Sequence, residues 1–140
     1  MVTNRDYSIL ITDDDVSCRE TLRAIIEPAG FRTVLAESGE QAIEIVRQES
    51  IHLVLLDMHM RQLTGLETIY FVHQINASLP CVLITADAEP SLLRKALNAN
   101  VTSVIPKPVS KGLVLYTVGR IIGRFYQSAD LNQPDQRTEL

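Results

Sequence analysis

Glycine is sparse in this chain of 140 residues, and none of its six glycines forms part of a glycine-rich phosphate loop. That argues against nucleotide binding through such a loop. Cysteine is sparser still. Cys18 and Cys81 are the full complement, both in apolar-patterned segments, with no Cys/His spacing that suits zinc. They read as buried, reduced thiols of a cytoplasmic protein. Basic runs are missing and the net charge is −4, so direct nucleic-acid binding is not expected. No apolar run approaches the roughly 20 residues of a bilayer span. The opening Met1 to Asp6 lacks the apolar core of a signal peptide, so membrane insertion is not expected. Aromatic residues are only 5% of the chain. Tyr70, Phe71, Tyr116, Phe125 and Tyr126 read as packing residues, and His52, His59 and His73 do not form a metal spacing.

The apolar fraction of 46% is enough for a real core, and the length is that of one domain. Apolar stretches alternate with helix-like ones. Ser8 to Thr12, Arg32 to Ala36, Ile51 to Asp57, Pro80 to Thr85 and Val101 to Pro106 read as strands. Between them, Cys18, Leu22, Ile25, Ile26 and Ala29 share one helical face, closed by Gly30. Ser38-Gly39-Glu40-Gln41 and Thr64-Gly65-Leu66-Glu67 have the form of capping boxes that open the next two helices. Pro90 suits a first helical position, with Leu93, Ala96 and Leu97 at helical spacing behind it. Ser110 can cap a last helix reaching about Gln127. Residues 128–140 are polar and aperiodic and read as a tail or the start of a linker after a domain of residues 1–127. The alternation predicts an α/β fold: a flavodoxin-like, doubly wound, five-stranded parallel sheet of order 2-1-3-4-5 with helices on both faces.

Four of the strands end in residues suited to phosphoryl chemistry. The first runs into Asp13-Asp14-Asp15, the third ends at Asp57, the fourth at Thr85, and the fifth is followed by Lys107. In an open parallel sheet these gather at the carboxyl edge, where ligands bind. Adjacent carboxylates repel unless a cation joins them. Hard oxygens on few residues, with room left for water, suit Mg²⁺ better than Ca²⁺. Asp57 beside the acid pair becomes a third carboxylate and a competent nucleophile for an aspartyl phosphate. Thr85 and Lys107 offer a hydrogen bond and a counter-charge to phosphoryl oxygens. Asp15 fits a helix N-cap.

These motifs together, with Gly65, Ile84-Thr85-Ala86 and Lys107-Pro108, resemble the receiver domain of two-component response regulators over roughly residues 7 to 126. The resemblance implies that Asp57 accepts a phosphoryl group from a phosphohistidine on a sensor histidine kinase or phosphotransfer protein. It implies Mg²⁺ held by Asp14, Asp57 and the backbone carbonyl of His59, with Asp13 reaching it through water. Lys107 would contact a phosphoryl oxygen and Asp57, Thr85 would move toward the phosphoryl group, and the Lys107–Pro108 bond would be cis. Such a domain is a switch, not a metabolic enzyme; it assists only its own phosphorylation and dephosphorylation. Its readout face, toward an effector or a second copy in a homodimer, would be the fourth helix, fifth strand and fifth helix. Arg61 stands where the family often has proline, Val104 where it usually has an aromatic residue, and Asn100 where it usually has glycine. Two other readings compete: a haloacid-dehalogenase-like phosphatase using Asp13, Asp15, Thr85 and a lysine, and a pseudo-receiver that binds partners without phosphorylation.

Overall fold

The computed structural model describes residues 3–127. The expected tail at 128–140 lies outside them. Five parallel strands, β1 (Ser8–Thr12), β2 (Arg32–Ala36), β3 (Leu53–Asp57), β4 (Cys81–Thr85) and β5 (Ser103–Pro106), form one sheet in the order β2-β1-β3-β4-β5. The five α-helices are α1 (Val16–Ile26), α2 (Gly39–Gln48), α3 (Gly65–Ile75), α4 (Pro90–Asn98) and α5 (Lys111–Ile122). The expected architecture and strand order are the observed ones.

Side-chain alternation along the strands divides the interior into two layers. Ile9, Ile11, Leu53, Leu55, Val82 and Ile84 pack on one face with Leu22 and Ile26 of α1 and Val114 and Val118 of α5. Leu10, Val54, Leu56 and Leu83 pack on the other with Ala42 and Val46 of α2, Ile69 and Val72 of α3 and Ala96 of α4. Every residue of β1, β3 and β4 is buried, as strands covered on both faces require.

The helix starts follow the sequence signals. Asp15 caps α1 by accepting from the Ser17 N–H, and Pro90 opens α4. Thr64 and Glu67 form a complete capping box on α3. At α2 the box is displaced by one residue: Ser38 accepts from the Gln41 N–H, but the Gln41 side chain accepts from the Glu37 N–H. Gly30 takes φ +103° and Asn100 φ +59°, so both turn the chain through the left-handed region.

Three strands begin later than the pattern predicts: side chains share the lowest rungs of the ladder before β3 and β5, and a proline precedes β4. The His52 N–H donates to the Ser8 carbonyl while its Nδ1 accepts from the Ser8 N–H at 3.0 Å. The Thr102 N–H donates to the Cys81 carbonyl while its hydroxyl accepts from the Cys81 N–H. Pro80 precedes β4 and has no N–H to contribute. The last helix also changes form: beyond Ile122 the chain makes a π-helical turn, Gly123–Gln127.

Aromatic packing departs from the expectation. Tyr126 is packed, yet Tyr70, Phe71, Tyr116 and Phe125 are exposed. Of the three α4 residues expected to face inward, Leu93, Ala96 and Leu97, only Ala96 is buried, and Leu97 is 75% exposed; Leu92 packs beside Ala96 instead.

Candidate functional site

Register builds the site. Thr12 aligns with Leu56, Asp57 with Ile84, and Thr85 with Pro106, so the residues at the four strand ends reach one edge of the sheet. Backbone bonds carry the ladder just past the strands: the Asp13 N–H donates to the Ala36 carbonyl, the Met58 N–H to Ile84 and the Lys107 N–H to Thr85. Asp13 and Asp57 are buried, and Asp14 is half-buried. One carboxylate oxygen from each of Asp13, Asp14 and Asp57 lies within 4.8 Å of the other two.

Lys107 enters this cluster from the β5–α5 loop. Its Nζ is 2.8 Å from Asp57 Oδ1 and 3.4 Å from Asp13 Oδ2. The Lys107–Pro108 peptide bond is cis. Burial disfavours the Lys107 charge, but the hydrogen bond to Asp57 and the negative charges of Asp13 and Asp57 outweigh it and push the lysine's pKa up. Burial pushes the Asp13 carboxyl up, helped by Asp57 and opposed by the Asp15 N–H and Lys107. The opposing effects at the two partners leave Lys107 cationic at neutral pH, the direction its two carboxylate contacts favour.

Thr85 is fully buried, and its hydroxyl accepts from the Asp87 N–H at 3.1 Å. His59 is exposed in the β3–α3 loop. Gly65 closes the floor of that loop. Its N–H donates to the Met58 carbonyl, and a Cβ there would stand 2.6 Å from the Asp57 carbonyl oxygen and 2.7 Å from a Leu83 methyl. Only glycine permits that approach.

Two contacts escape sequence reading. Arg19 is buried, and its Nη1 donates to the Asp13 carbonyl at 2.6 Å, holding the strand end against α1. The available signal was its spacing: it lies three and seven residues before Leu22 and Ile26 and shares their inward face. The other is Arg61, whose N–H donates to Asp14 Oδ2 across a sequence separation of 47. Local pattern carries no signal for that contact.

Some expectations are corrected. Cys18 is only half-buried, with Sγ 3.9 Å from Lys107 Nζ, while Cys81 is buried and its thiol is pushed up to about 12 by burial. Asp15 turns its carboxylate to the Ser17 N–H, outside the cluster, so the phosphatase reading loses its second aspartate.

Among the described residues, no helix is long and apolar enough to cross a membrane. The Response regulator receiver domain family matches residues 9–118. The chain is 32% identical over 108 residues to the transcriptional regulatory protein ZraR of Escherichia coli K12, covering 77% of this chain and 24% of that protein. It is 28% identical over 117 residues to the sensor histidine kinase AruS of Pseudomonas aeruginosa, covering 81% of this chain and 12% of that one. It thus spans a quarter or less of the length of these relatives. A CheY-like receiver domain protein from Methanospirillum hungatei superimposes with a TM-score of 0.82 at 22% identity, covering 87% of this chain and 98% of that one. The chemotaxis protein CheY4 of Vibrio cholerae does so with 0.79 at 21%, covering 82% and 98%. Fold, family match and relatives agree: the chain belongs to the receiver domains of two-component response regulators.

Proposed function

We propose that Asp57 is the phosphoacceptor of this receiver domain. The observation that supports it most directly is the convergence of Asp57, Lys107 and two further carboxylates in one cluster. A carboxylate oxygen of Asp57 attacks the phosphorus of a phosphohistidine on a sensor kinase or phosphotransfer protein. The O–P bond forms as the P–N bond breaks, and the imidazole leaves. Water later attacks the aspartyl phosphate, releasing phosphate and the free carboxylate. Lys107, already on Asp57, meets a phosphoryl oxygen with its ammonium group.

Three carboxylates with oxygens this close form a hard donor set that fits Mg²⁺. Asp13, Asp14, Asp57 and the His59 carbonyl would hold the ion. When bound, it neutralises charge on the transferring group. Thr85 would release the Asp87 N–H and turn its hydroxyl to the phosphoryl group. Val104 has few rotamers, so movement of the loop from Thr85 to Glu89 and the start of α4 carries the signal. The readout surface is α4, β5 and α5, for an effector or a second copy. It is supported by exposed Leu97 and Tyr116 and by the half-buried β5. Residues 1–127 form the receiver unit, working in the cytoplasm where its donor is made, with 128–140 as tail or linker.

Mg²⁺-dependent labelling with acetyl phosphate, read by intact mass, tests this. One phosphoryl mass is expected on the wild type, none with a chelator and none on Asp57→Asn. Full labelling of Asp57→Asn contradicts the assignment, and turnover of a phosphate ester revives the phosphatase reading.

A further inference from the structure

Every carboxylate of the cluster is engaged by a cation of the chain itself. Lys107 serves Asp13 and Asp57. Asp14 is served by Arg61, whose Nε lies 3.7 Å from Asp14 Oδ2. The same oxygen accepts from the Arg61 N–H at 3.1 Å. These two contacts differ in kind. The N–H belongs to the loop and orients the carboxylate. The guanidinium belongs to a side chain that is 88% exposed and free to swing into solvent, and it cannot lose its charge. A divalent ion needs the Asp14 oxygen and its negative charge, and the guanidinium stands at both.

Building on the metal reading of this cluster, we infer that Arg61 is an internal counter-ion that competes with the divalent metal for Asp14 and sets the metal affinity of the resting site. Without metal, Arg61 offsets the repulsion among three carboxylates. When metal enters, the guanidinium swings away while the Arg61 N–H keeps Asp14 aimed at the cluster. Arg61 is thus a positioning residue whose charge opposes metal binding and whose backbone supports it.

Substitution separates the two roles, because Arg61→Gln removes the charge and keeps the N–H, while Arg61→Lys keeps both. Because the side chain is 88% exposed, neither substitution removes buried packing. The experiment is calorimetric titration of MgCl₂ into the full chain at low ionic strength, without any phosphodonor. Arg61→Gln is expected to tighten the Mg²⁺ dissociation constant by up to about fivefold, the range of an exposed ion pair. Arg61→Lys is expected to stay near the wild type, and the difference between Arg61→Gln and wild type to shrink as NaCl screens the pair. Unchanged or weaker Mg²⁺ binding in Arg61→Gln overturns the inference and leaves the metal site standing, as does tightening in Arg61→Lys equal to that in Arg61→Gln. A wild type that binds no Mg²⁺, or Asp14→Asn binding as tightly as the wild type, overturns the metal reading and the inference with it.

Discussion

The two ends of the sheet are built on opposite plans. At the carboxyl end, three carboxylates crowd within 4.8 Å of one another and are held by one lysine and one exposed arginine. At the amino end, Tyr7, His52 and Tyr126 form a cluster of rings with centroids 5.2–5.6 Å apart. There the Tyr126 hydroxyl donates to the His52 carbonyl at 2.6 Å and His52 Nδ1 accepts from the Ser8 N–H. One end keeps like charges together at a cost in stability; the other joins the start of the sheet to the last of the described turns, Gly123–Gln127, with no net charge. The difference teaches how the fold divides its edges: crowded charge at one, neutral ring packing at the other.

Removing the lysine is the strongest way to break that contrast. Lys107→Met should lower the rate of Mg²⁺-dependent acetyl phosphate labelling by about 10²–10³, the loss typical of one charge-stabilising donor. Time-resolved intact mass measures it, and labelling at the wild-type rate would refute the lysine's role.

Backbone geometry at the same end comes next. Gly65→Ala forces a methyl group against the Asp57 carbonyl and Leu83. A loss of about 1–3 kcal/mol in urea unfolding is expected, the cost of overpacking. Wild-type stability in this variant would mean that the loop adjusts freely.

A smaller effect has the opposite sign. Asp14→Asn relieves repulsion from Asp13 and Asp57 while giving up an ion pair whose Arg61 side is 88% exposed, and the amide oxygen can still accept from the Arg61 N–H. The metal-free protein should melt at a higher temperature, and Mg²⁺ should raise the melting point less than in the wild type. Lower metal-free stability would show that crowding is not a cost.

The smallest effect sharpens the comparison from the amino end. Burial, with a contribution from Arg32, holds the His52 pKa below its ordinary 6.5. The unfolded chain therefore binds the His52 proton first as pH falls. The stability tied to neutral His52 is complete above about 6.5 and is lost as pH drops toward the folded value. Protonating Nδ1 also removes the acceptor for the Ser8 N–H. Melting curves at pH 8 and pH 5 should differ less in His52→Asn than in the wild type. Equal differences would remove His52 from the acid response.

Much of this was legible in the sequence for a physical reason. Strands covered on both faces are continuous apolar runs, and each run breaks where a polar residue with chemistry of its own takes over, so Asp13, Asp57, Thr85 and Lys107 mark the edge of the sheet. Caps are equally local, hence Asp15, Thr64 and Ser110 were readable. What was not legible depends on distant partners. The starts of β3 and β5 are moved by His52 and Thr102 side chains bonded to neighbouring strands. Leu93 and Leu97 sit at helical spacing, but α4 turns Ala96 and Leu92 inward instead. Arg61 meets Asp14 through the approach of two loops.

Locating the phosphoryl group tests the central claim most directly. After labelling with acetyl phosphate and Mg²⁺, borohydride reduction of the acyl phosphate and peptide mass mapping identify the modified carboxylate. The account predicts a single reduced residue at position 57, with Asp13 and Asp14 unmodified. Reduction at Asp13 or Asp14, with Asp57 intact, would contradict it.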